Sequence, residues 1–157
     1  MTFAGCARRC QLSIIRRYRR STPVYLAPLA IIRSHRPQIS FRARSVMEAI
    51  FLTGGSIGSA RDVARRLGLQ SRFQLARLLR CDGLPALHRL AEWAKVLSWV
   101  VLAEETGASL CSLAGRSGAH SSACYRLVKE LTGLCWRDLR ARGATWLQGE
   151  FLKQFTL

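Results

Sequence analysis

Residues 63–84 read VARRLGLQSRFQLARLLRCDGL, and residues 113–134 read LAGRSGAHSSACYRLVKELTGL. Laid over each other at an offset of 50 residues, they pair Ala64 with Ala114, Gly68 with Gly118, Ser71 with Ser121, Gly83 with Gly133 and Leu84 with Leu134. Apolar positions follow: Val63 falls on Leu113, Leu75 on Tyr125 and Leu78 on Val128. An internal repeat constrains the fold more tightly than a single motif, because each copy has to be one structural unit. The shared residues are those that two short helices and a tight turn require. Ala64 and Ala114 are small where two helices cross, and Gly68 and Gly118 supply the turn. Ser71 and Ser121 cap the second helix, and Gly83 and Gly133 end it. Each copy therefore predicts a helix-turn-helix.

Between the copies, Pro85 opens a periodic run through Leu87, Leu90, Trp93, Leu97, Val101 and Leu102, which predicts one long helix stopping near Thr106-Gly107. Upstream, Val46, Ile50 and Phe51 predict a helix broken by Gly54 to Ser56. Ser59 then caps a helix with Val63, Leu67 and Leu69 on its apolar side. The fold class is all-α: two helix-turn-helix units joined by a long connecting helix, preceded by a basic, largely irregular N-terminal arm.

Charge divides the 157 residues in two. Residues 1–47 hold ten Arg and no acid, whereas 48–157 hold 15 Lys plus Arg and all nine acids, so the segments carry +10 and +6. We read 1–47 as a basic arm, irregular apart from a short helix around Cys10 to Arg20, and 48–157 as the folded domain. Met47, at the boundary, is an alternative start. A formal charge of +16 calls for a polyanionic partner, nucleic acid first and an anionic membrane surface second. No run reaches the ~18 apolar residues of a membrane span. Val24 to Ile32 is too short and contains Pro28, so no integral membrane span is expected. An Arg-rich, acid-free start also fits an organelle transit peptide. The six cysteines contain no C-x-x-C pair, which argues against a structural metal. Four of them lie in apolar periodic segments, where a reduced thiol acts as a small buried hydrophobe, and the expected location is the cytoplasm, at the nucleoid.

The region from Ser56 to Arg142 resembles the DNA-binding domain of the AraC/XylS family of bacterial transcription regulators. The resemblance rests on the two phased units and on Leu110 to Gly118, Ser121 to Leu127 and Gly133 to Arg140. Two positions depart from the family pattern: Ala119 stands where an aromatic is usual, and Trp136 where a Pro follows the closing Gly. The resemblance implies that both second helices enter successive major grooves of one duplex, that RNA polymerase is contacted, and that the chain regulates transcription. The arm is too short for a sensing or dimerisation domain, so a monomer or weak dimer is expected.

A helix fits the major groove and meets base edges with its N-terminal residues. That points to Gln70, Ser71, Arg72 and Gln74, with Arg77 one turn on, and to His120, Ser121, Ser122 and Arg126 in the second unit. Arg61, Arg65, Arg80, Arg116 and Lys129 are expected at phosphates. Helical spacing places Phe73, Leu75, Trp93, Trp99, Tyr125 and Trp136 in the core rather than on a stacking surface. His35, His88 and His120 lie far apart, and no acidic pair, G-x-S-x-G, P-loop or H-E-x-x-H occurs. Neither catalysis nor a cofactor is expected. The competing readings are a degenerate helix-turn-helix used for protein interaction and a basic peripheral membrane protein.

Overall fold

A computed structural model describes residues 38–155. The expected helix around Cys10 to Arg20 and the apolar run Val24 to Ile32 lie outside the described residues. Those that are described form seven α-helices and no strand, so the molecule is all-α in this region.

Helix α1 (Phe41–Leu52) buries Ala43, Val46, Met47, Ile50 and Phe51 along one side. Ser40 starts it: its Oγ accepts from the Ala43 N–H at 3.3 Å. The same hydroxyl donates to Asp82 Oδ2 at 2.6 Å, and the Ser40 N–H donates to Asp82 Oδ1 at 3.2 Å. The boundary expected at Glu48 therefore falls inside a helix. The charge changes there, but the packing does not, because the exposed Arg42 and the buried Ala43 belong to the same turn. Met47 is buried at mid-helix and does not mark the edge of the folded unit.

Two helix pairs follow: α2 (Ala60–Arg66) with α3 (Arg72–Cys81), and α5 (Leu110–Arg116) with α6 (Ser121–Thr132). Their turns repeat bond for bond. The Leu69 N–H donates to the Ala64 carbonyl at 2.9 Å and the Ala119 N–H to the Ala114 carbonyl at 3.0 Å. Gly68 and Gly118 hold φ of 68° and 70°, a left-handed geometry that costs any Cβ-bearing residue. Ala64 and Ala114 are buried, as the spacing requires. Ser59 and Ser109, another pair 50 residues apart, cap α2 and α5 by accepting from the N–H groups of Asp62 and Ser112, each at 3.2 Å. The repeat slips at the second helices. Ser71 caps α3, whereas α6 starts one residue earlier in register, with His120 in the cap position and no side-chain bond there. Ser121 is the first helical residue, so its expected capping role is corrected.

The long helix α4 (Leu87–Thr106) ends at Gly107 in the left-handed conformation, where the sequence placed its stop. Eleven of its residues are buried, Trp93 and Trp99 among them. It packs against α7 (Trp136–Lys153), α1, α5 and α6, whereas α2 and α3 pack chiefly against each other. Leu75 and Leu79 tie the outlying pair into the same core.

Helix α7 has no counterpart in the sequence reading. It is broken at Gly143, whose φ of 81° and ψ of 175° lie in a region almost confined to glycine. The freed Ala144 N–H donates to Glu104 Oε1 of α4 at 2.7 Å, so a side chain 40 residues away caps the second half. That half places Phe151 against Phe51, Trp93 and Phe155, at ring-centroid distances of 5.4, 5.7 and 4.7 Å.

Removing the cap by Glu104→Ala is expected to cost about 1–2 kcal/mol in urea unfolding. Gly143→Ala is expected to cost about 2–3 kcal/mol, from its backbone region and from a Cβ 2.8 Å from Glu104 Oε1. The double variant should lose less than the sum, because the clash disappears with the carboxylate. Strict additivity would rule this account out.

Candidate nucleic-acid interface

The start of α3 is held by two local bonds. Ser71 Oγ accepts from the Gln74 N–H at 3.3 Å, and the Gln74 side-chain oxygen accepts from the Gln70 N–H at 2.9 Å. This is a variant of the reciprocal capping arrangement: it satisfies one of the N–H groups a helix start leaves open and the N–H of the residue just before the cap. It also engages the Gln74 amide oxygen, while the side chain stays exposed.

Around that start a groove of about 460 Å³ is lined by Arg61, Arg65, Gln70, Ser71, Arg72 and Phe73. Two helices supply its cations: Arg61 and Arg65 come from α2 and Arg72 from α3. Arg65 lies 3.9 Å from Asp62, yet its side chain remains 74% exposed. The Ser59 hydroxyl donates to Asp62 at 2.6 Å and holds that carboxyl below its ordinary value, with Arg65 adding to the effect. The Arg72 guanidinium sits 5.1 Å over the Phe73 ring. Phe73 is 70% exposed, which overturns its assignment to the core. Gln74 and Arg77 are exposed further along α3, and Arg80 is exposed near its end.

In the second pair, the cap residue His120 is exposed, as are Ser122 and Arg126, with Ser121 partly so, the last three in the N-terminal half of α6. Arg116 and Lys129 are exposed as well. Tyr125, 41% exposed, is the second aromatic that the core assignment misplaced. Its hydroxyl lies 3.7 Å from Cys111 Sγ, and that hydrogen bond raises its pKa. Leu75, Trp93, Trp99 and Trp136 are buried as expected. Among the described cysteines only Cys124 is buried, and burial pushes its thiol up. Cys81, Cys111 and Cys135 are exposed, so their reading as buried hydrophobes is corrected.

Among the described residues there is no cluster of three or more His, Cys, Asp or Glu suited to a metal ion. No single helix among them is long and apolar enough to cross a membrane. Helices α4 and α5 together reach that apolarity, but they are bent by 117° and most of α4 is core. Comparison with protein-family models, curated proteins and solved structures finds no match.

The slipped repeat makes the two serines unequal. Ser71→Ala is expected to cost about 1 kcal/mol of stability by chemical denaturation, the usual worth of a cap. Ser121→Ala is expected to stay within about 0.5 kcal/mol. Equal losses would mean that Ser121 caps α6 after all.

Proposed function

We propose that the chain binds double-stranded DNA through two helix-turn-helix units, α2–α3 and α5–α6, and regulates transcription. The observation that carries this reading is the groove at the start of α3. Three arginines from two helices converge there beside the exposed Gln70 and the partly exposed Ser71. Cations on both sides of a helix start suit the phosphates flanking a major groove, and the exposed side chains of the first turn suit base edges. Arg72 is matched to guanine O6 and N7, and the Gln70 amide to adenine. Phe73, projecting next to Arg72, is matched to the methyl group of thymine. A chain charge of +16 supplies the long-range attraction. Ser122 and Arg126 read the second box, and α4 sets its distance from the first. Two linked units read an asymmetric site without a second copy, and contact with RNA polymerase would turn occupancy into a change of transcription.

The test is selection from random duplexes with the full chain at moderate salt, since non-specific affinity falls steeply with ionic strength. A bipartite motif with boxes about 10 base pairs apart is expected. Arg72→Gln should then weaken the selected site by about 1–3 kcal/mol and relax one position. Arg61→Gln should weaken all sequences alike and lower the salt slope by about 1. Uniform, salt-sensitive binding with no enriched motif would sink the specific-regulator reading and favour protein interaction or a membrane surface.

A further inference from the structure

A second and larger groove, about 730 Å³, lies on the other side of α3, between that helix, the loop after α1 and the first turns of α4. Helices α2 and α3 pack chiefly against each other, and the groove lies along the side of α3 that faces α4. Its floor is apolar: Leu75, Leu79 and Leu84 reach it from the core. Ala76 and Ala91 keep the facing walls short, and Ile57 adds to the apolar lining. The rim is basic. Arg72 and Arg80 stand on the α3 side and Lys95 on the α4 side, against the carboxylate of Glu92. That carboxylate is already engaged by Arg89 at 3.5 Å.

We propose that this groove binds a small amphipathic anion, its apolar body on the leucine floor and its carboxylate or sulfonate at the Arg72, Arg80 and Lys95 rim. The volume falls in the range of small-molecule sites, roughly 300–1,000 Å³, and a DNA duplex is far too wide to enter between α3 and α4. Charge selects the sign of the head group, and the floor selects an apolar tail. The same geometry makes the site a control point. Arg72 and Phe73 line both grooves, so an anion that draws Arg72 toward α4 removes a cation from the nucleic-acid side. Ligand and DNA then oppose each other, and the coupling is reciprocal. This coupling, unlike the site itself, rests on the DNA-binding reading.

The test uses 8-anilinonaphthalene-1-sulfonate, an amphipathic anion, and N-phenyl-1-naphthylamine, which has the same ring system without the sulfonate. Both are titrated by fluorescence into the full chain without DNA. One saturable site is expected for the sulfonate, with the uncharged probe about tenfold weaker or worse. Lys95→Gln should weaken the sulfonate about tenfold and leave the uncharged probe unchanged. Ala76→Trp, at an exposed position on the groove wall, should abolish both, with an unchanged thermal midpoint reporting an intact fold. Equal affinity of the two probes would overturn the proposal. So would sulfonate binding that survives Ala76→Trp, or an equal loss from Arg140→Gln on the distant face of α7. Adding a selected duplex tests the coupling. Saturating sulfonate should lower duplex affinity several-fold; unchanged affinity overturns the coupling, and failure to select a duplex counts against DNA reading alone.

Discussion

The rest of the structure depends on α4 being covered along most of its length. A helix with eleven buried residues has no solvent stripe of ordinary width, so other helices have to surround it, and α1, α5, α6 and α7 do. Burying a large apolar side chain contributes about 1.5–3 kcal/mol, and α4 alone supplies Leu90, Trp93, Val96, Leu97, Trp99, Val100 and Val101. The demand for cover is strong enough to tolerate a polar loss. Trp93 is buried with its Nε1–H unpaired among the described residues, a cost of about 1–3 kcal/mol that its ring contacts offset.

The two helix pairs meet this demand unequally. The second lies in the shell around α4, whereas the first is held mainly by Leu75 and Leu79 from within and by the Ser40–Asp82 bonds at the far end of α3. The Ser40–Asp82 bonds anchor the C-terminal end of α3 and the buried Leu75 holds its inner side near the start, while Arg72 and Phe73 at that start are exposed. A helix held along its inner side and open on both flanks near its start presents two grooves where a tightly packed helix would present none.

Much of this was legible in the residues. Serine caps, glycine turns and small crossing residues act within a few positions of the chain, so the helix pairs and the stop of α4 could be read directly. What depends on angle and distance could not. Phe73 sits two residues before Leu75, about 200° round the helix, so a buried Leu75 turns Phe73 outward. Apolar spacing alone had grouped them. Tyr125 is adjacent to the buried Cys124 and lies at the margin of the same face. The first turns of α1 were masked by arginines, because charge density reports the outer side of a helix and not its inner one. The break at Gly143 left only a lone glycine as a signal, and its partner, Glu104, is 40 residues away. The shared Arg72 and Phe73 walls of the two grooves emerge only when α3 is placed against α4.

The aromatic cluster at Phe151 also sets an order of events. Its partners Phe51 and Trp93 are made about 100 and 58 residues earlier, and the half-helix that carries Phe151 is capped by Glu104 rather than by its own neighbours. A chain emerging from the ribosome thus shows Trp93 uncovered until residues 144–155 follow it out. Both helix pairs, α2–α3 and α5–α6, are complete in sequence by then, but the aromatic cluster over Trp93 is not. Long-range closure of this kind slows folding relative to a bundle of local contacts.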